Sequence, residues 1–176
     1  MATYSRLATA VACACLAGNG LAEEAADPGA PFAKENFSIT IAGTNNYVFR
    51  AISVSDNDPA FQASADWAWN GFYVGAWGSM VDEAATVDAD LEMDYYVGYA
   101  GELPWGFAFD LSAVYYTYPG SDDDDSLAGI GESDYWELIP QLSYTIEAPL
   151  EPTLNLLYAF TPDYFGETGD GHAWEI

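Results

Sequence analysis

The chain has 176 residues, 16% of them aromatic, with 28 Asp or Glu against 3 Lys or Arg and a formal net charge of −25. That length suits one domain, and strong aromatic content with only 18% charged residues argues against disorder. Nucleic acid is excluded as a partner, because binding it requires Lys and Arg to displace condensed counterions.

The first segment, residues 1–22, carries Arg6, an apolar run from Leu7 to Ala17, and small residues at Gly20 and Ala22. This pattern predicts a cleaved secretory signal peptide. The run is too short for a spanning helix, which needs roughly 20 apolar residues. Cys13 and Cys15 both lie inside it. The mature chain is therefore expected to lack cysteine, and disulfides, thiol catalysis and thiolate metal sites drop out. Only Lys34 and Arg50 then remain against 28 acids, and 2 minus 28 gives −26. Such acidity suits cation attraction and adaptation to salty surroundings equally well. Residues 23–36 are expected to form an N-terminal periplasmic lead.

From Phe37 the sequence alternates. Phe37, Ile39, Ile41, Gly43, Tyr47 and Phe49 share one parity, and Ser38, Thr40, Thr44, Asn46 and Arg50 share the other. Period two over this length predicts one long strand. The pattern recurs in Phe61 to Trp69 and again after Asn70-Gly71, a pair that between alternating runs signals a two-residue hairpin. A type I′ turn there would set Trp69 opposite Phe72, Trp67 opposite Val74, Asp66 opposite Gly75 and Ser64 opposite Trp77. Leu91, Met93, Tyr95, Val97 and Tyr99 alternate with Glu92, Asp94, Tyr96 and Gly98. Phe107 to Tyr116, Trp136 to Ile146 and Leu154 to Phe160 continue the pattern, making seven strands, and His172, Trp174 and Ile176 begin an eighth.

The connections alternate in length. Ala51 to Pro59, Asp82 to Asp90, Pro119 to Ser133 and Thr161 to Gly171 are long; Asn70-Gly71, Gly101 to Gly106 and Glu147 to Pro152 are short. An up-and-down membrane barrel has short periplasmic turns at one end and longer external loops at the other. Strands of about 9 to 11 residues fit a tilted span. Trp67, Trp69 and Phe72 at the Asn70-Gly71 turn are placed as an aromatic girdle. A soluble sandwich or lipocalin-like barrel would alternate too, with its apolar face turned inward.

Several blocks resemble the TorF-type porin family of Gram-negative bacteria: YVFRAIS with SDNDPAFQ (Tyr47 to Gln62), NGFYVGAWGSMVD (Asn70 to Asp82), LEMDYYVGYAGEL (Leu91 to Leu103), FDLSAVYYTYPG (Phe109 to Gly120) and DYWE (Asp134 to Glu137). The resemblance runs from about Phe37 to near the end of the chain. It implies an all-β, antiparallel up-and-down transmembrane β-barrel of the outer membrane, whose solute is not established. Relative to that pattern, Asp122 to Asp125 make a longer acidic loop. Family members continue with further strands and end on an aromatic residue, so residues 37–176 read as a partial barrel.

Function is expected on the inward parity, where Asp66, Glu92, Asp94, Asp110, Glu137 and Gln141 line the lumen with Arg50 as the lone base. Those acids either favour cations, or merely keep a small lumen wet or pair with Arg50 to fix the barrel's shape. Catalysis is not expected: His172 is the only histidine and no nucleophile motif accompanies it. The acidic run fails the calcium-loop spacing, because Leu127 stands where the turn glycine belongs, so it reads as a solvated loop. No metal or cofactor is expected. The expected partners are outer-membrane lipid, small hydrophilic solutes or cations, and further copies of the chain in a homo-oligomer. The alternatives are a non-conducting structural or adhesion barrel and a secreted soluble β-protein.

Overall fold

The computed structural model describes residues 29–82, 89–121, 133–164 and 169–176. The expected signal peptide and the Asp122 to Asp125 run lie outside them. The described strands are β1 (Phe37–Thr44), β2 (Val48–Phe49), β3 (Ile52–Ser53), β4 (Ala60–Trp69), β5 (Phe72–Met80), β6 (Leu91–Glu102), β7 (Phe107–Thr117), β8 (Tyr135–Thr145), β9 (Thr153–Thr161) and β10 (Gly171–Glu175). Eight of them form one sheet in the order β1-β4-β5-β6-β7-β8-β9-β10, every neighbouring pair antiparallel. This is an all-β up-and-down meander. The sheet is not closed into a barrel, since β1 and β10 remain its two edges. The expected eighth strand is present as β10, paired with β9 from Gly171↔Thr161 to Glu175↔Leu157.

Asn70 and Gly71 both have positive φ, 50° and 86°, as a type I′ turn requires. The register that follows is the expected one: Trp69↔Phe72, Trp67↔Val74, Asp66↔Gly75 and Ser64↔Trp77. Later in the sheet, Pro140 sits inside β8, where it supplies no N–H. The β7–β8 ladder runs through it, whereas the β8–β9 ladder goes from Leu138↔Phe160 to Gln141↔Leu157 without a paired step between.

The expected single first strand is corrected. β1 ends at Thr44, whose hydroxyl donates to the Asn46 carbonyl at 2.8 Å and turns the chain. The segment that follows doubles back as a separate hairpin, β2 with β3, around Arg50 and Ala51. Both turn residues have positive φ, 45° and 67°. The stretch Ala51 to Pro59, read as an external loop, therefore contributes one arm of that hairpin. Tyr47 and Phe49, expected to share the outward face with Ile39 and Ile41, instead pack inward.

The hairpin also reports the shape of the sheet. Tyr47 meets Trp77 on β5, Phe49 meets Tyr116 on β7, and Arg50 bonds Glu137 on β8 and Glu175 on β10. Laid flat, β5 and β10 would stand roughly 24 Å apart at about 4.8 Å per strand. One small hairpin touches both ends of that span, so the sheet curls around it.

Candidate functional site

Burial follows strand parity, with an unusual sign. On β6, Glu92 and Asp94 are 2% and 5% exposed, while Tyr95 and Val97, beyond them on the other parity, are 50% and 54% exposed. Asp110, Ser112 and Glu137 are buried likewise, and Leu111, Tyr115, Trp136 and Leu138 are exposed. The concave side therefore encloses the charged and polar residues, and the convex side presents the large apolar ones. A soluble β-protein has the opposite arrangement, because burying an ionisable group costs free energy unless it is paired or wet.

Two layers line the concave side. The layer nearer the long connections is built around the inserted hairpin. Arg50 donates from Nη1 and Nη2 to the two carboxylate oxygens of Glu137, each at 2.8 Å, and from Nε to Glu175 Oε1 at 3.3 Å. Its guanidinium carbon also lies 4.6 Å from the centre of the Phe49 ring. Burial alone would lower the Arg50 pKa, but hydrogen bonds and charge from Glu137 outweigh it and push the guanidinium above its ordinary range. Tyr116 donates to the same Glu137 at 3.2 Å and stacks on Tyr135 with ring centres 4.6 Å apart. Tyr118, just past β7, donates to Glu92 at 3.1 Å. Burial, with Glu92 and Tyr135 nearby, holds its phenol well above the usual range, so it stays a donor.

The hairpin is stitched to itself before it meets the sheet. Tyr47 N–H donates to Ser55 Oγ at 2.9 Å, and Ser55 Oγ donates to the Asp58 carbonyl at 2.7 Å. Ser53 Oγ donates to Asn46 Oδ1 at 2.6 Å, and Asn57 N–H donates to Ser53 Oγ at 2.8 Å. Short polar side chains thus take up backbone groups that no ladder serves.

The second layer, nearer the short turns, needs no insert. Tyr96 on β6 reaches across β5 and donates to Asp66 on β4. Tyr73 on β5 reaches across β6 and donates to Asp110 on β7 at 2.7 Å. Each tyrosine lies over a glycine of the strand it crosses, and the register places them in facing pairs, Gly75↔Tyr96 and Tyr73↔Gly98. A Cβ on Gly75 would lie 2.6 Å from the Tyr96 ring, and one on Gly98 would run into the Tyr73 ring. Glycine is required here for close approach of a side chain.

The expected lining residues therefore divide. Arg50, Glu92, Asp94 and Glu137 stand in the hairpin layer, and Asp66, Asp110 and Gln141 in the other. Asp66 and Gln141 are half-buried. The sequence reading missed Tyr47, Tyr73, Trp77 and Tyr118 as inner residues. The signal for Tyr73 and Trp77 was available, because the Asn70-Gly71 register carries the parity of β4 onto β5.

Trp67, Trp69 and Phe72, expected as an aromatic girdle, stand on the outward face, with the two tryptophans partly covered. Trp67 donates its indole N–H to the Pro31 carbonyl at 2.7 Å, and Trp69 donates to the Gly29 carbonyl at 3.1 Å. Phe32 stacks on Trp67, with ring centres 6.3 Å apart. The belt continues beside them through the outward pairs Phe72–Tyr99 at 4.6 Å, Tyr99–Phe109 at 5.8 Å and Phe107–Tyr144 at 4.8 Å. All lie toward the short-turn end.

Fold and face polarity define a curled antiparallel meander with an enclosed polar side. Residues 25–174 match the family described as "Bacterial protein of unknown function (Gcw_chp)", and the chain belongs to that family. No curated protein and no solved structure matches it.

Proposed function

We propose that this protein is a porin-like β-barrel of the bacterial outer membrane that passes small hydrophilic solutes passively, with a preference for cations. The single observation that carries the reading is the inverted polarity of the sheet: buried Glu92, Asp94, Asp110 and Glu137 on one side, exposed Ile39, Ile41, Val74, Val97, Leu111 and Trp136 on the other. Lipid is the solvent that matches such an outer face, and a spanning strand alternates apolar-out with polar-in. The aromatic belt at the short-turn end fits the level of the headgroups. Among the described residues, Glu92 Oε2 and Asp110 Oδ2 are buried without a hydrogen-bond partner. Buried carboxylate oxygens are tolerated where water or a cation reaches them. In a lipid setting the free edges of β1 and β10 need partners, as closure of a barrel supplies.

A second reading, a non-conducting structural or adhesion barrel, draws support from the hairpin packed against the concave side. Planar-bilayer recording on the complete protein, extracted from outer membranes, separates the two. Conductance with cation over anion preference, reduced by neutralising Glu92, Asp94 and Asp110 together, is expected. Absence of conductance from well-folded protein would favour the structural barrel, and recovery in the soluble fraction would remove both in favour of a secreted β-protein.

A further inference from the structure

We infer that the β2–β3 hairpin is the constriction of the channel, and that Arg50, clamped between Glu137 and Glu175, sets its selectivity. The inference rests on the channel reading above.

The geometry points this way for three reasons. First, the hairpin belongs to no strand of the wall: it pairs only with itself, Val48↔Ser53 and Phe49↔Ile52. Removing it from the concave side would break no ladder of the eight-stranded sheet. Second, its charged hold on the wall is concentrated in one side chain. Arg50 spans from β8 to β10 through three hydrogen bonds, while Tyr47 hydrogen-bonds Glu92 on β6 and, with Phe49, makes ring contacts at 5.3 and 6.1 Å. Third, among the described residues Arg50 is the one Lys or Arg that faces the enclosed carboxylates, since Lys34 lies in the short turn before β1. Its charge therefore opposes the acids Glu92, Asp94 and Glu137 at the level where the hairpin narrows the passage. A pore lined by fixed charges selects by their balance at the narrowest point.

Two neutralisations should act alike on width and oppositely on charge. Arg50→Gln releases the hairpin and removes the lone cation. Glu137→Gln releases the bidentate clamp and leaves the cation in place. Single-channel recording on the complete protein in planar bilayers should give higher conductance for both variants. The reversal potential in a salt gradient should shift toward stronger cation preference for Arg50→Gln and toward weaker preference for Glu137→Gln. Folding of each variant is checked by heat-modifiable migration in gels. Arg50→Lys, which keeps the charge without the two-pronged geometry, serves if Arg50→Gln does not fold. It should raise conductance with selectivity near that of the unaltered protein. Unchanged conductance in folded variants of a conducting protein, or selectivity shifts of the same sign in both neutralised variants, would overturn the inference and leave the channel reading standing. Silence from the unaltered protein and all folded variants alike would instead remove the channel reading, and this inference with it.

Discussion

The two layers of the concave side solve the same problem by different means. Each must fill the inside of a curled sheet with polar groups that remain hydrogen-bonded. The layer near the long connections imports its filling, a hairpin whose Arg50 is clamped by Glu137 and Glu175. The layer near the short turns uses the wall itself, with Tyr73 and Tyr96 laid across Gly98 and Gly75 to reach Asp110 and Asp66. Imported filling centres on one charged side chain, whereas the built-in filling depends on the absence of two side chains. The first can be detached with the sheet intact; the second can be disturbed only by straining the sheet.

Arg50→Ala gives the largest expected effect. It leaves Glu137, 2% exposed, as a buried charge without its counterion, which typically costs about 3 to 5 kcal/mol. Urea unfolding followed by tryptophan fluorescence should show the loss, and a midpoint unchanged from the unaltered protein would mean that solvent already reaches Glu137. Next in size, Val97→Arg on the outer face should destabilise the protein by about 2 to 4 kcal/mol if that position meets the middle of a bilayer. The same substitution measured in detergent and in bilayers should differ little if the outer face is not in lipid. Gly98→Ala should cost about 1 to 3 kcal/mol by forcing the Tyr73 ring off Asp110. Pairing it with Tyr73→Phe in a double-mutant cycle should give a coupling well away from zero, and additive losses would show that the glycine is not there to admit the ring. Smallest of the four, Ala51→Gly should stabilise the hairpin by about 1 to 2 kcal/mol. Ala51 holds a φ of 67°, which costs a residue with a Cβ about that much. A loss of stability would place the effect in the unfolded chain instead.

Most of the wall was legible in the sequence because each strand alternates over most of its length, and the Asn70-Gly71 pair fixes one register to the residue. Parity then placed Glu92, Asp94, Asp110 and Glu137 on the enclosed side, where they are found buried. The hairpin was not legible. Tyr47 and Phe49 keep the odd parity of the apolar residues of β1, so the pattern runs on past Thr44 as though nothing turned. Its reversal at Arg50-Ala51 also lacks the Asn or Gly that normally marks a type I′ turn. Arg50 was read as the lone base on the inner side, and pairing with it was one of the roles weighed for the inner acids. That it comes from an insert rather than from the wall depends on contacts between residues 87 positions apart, which no local pattern encodes. A barrel, with residues 37–176 as part of it, was expected from strand parity and loop lengths, yet neither quantity specifies which strands meet to close one.

The placement of the tryptophans has an optical consequence. Of the six, Trp67, Trp69, Trp136 and Trp174 stand on the outward parity and Trp105 is 87% exposed on a turn, which leaves Trp77, 4% exposed, as the one facing inward. Its indole lies edge-on to Tyr47, the ring the hairpin brings to it, with centres 5.3 Å apart. Excitation absorbed by Tyr47 should therefore pass to Trp77 while the hairpin is seated and be lost as tyrosine emission when it leaves. With the five outward indoles replaced by phenylalanine, the ratio of the two emissions would follow the hairpin's position in an unlabelled protein.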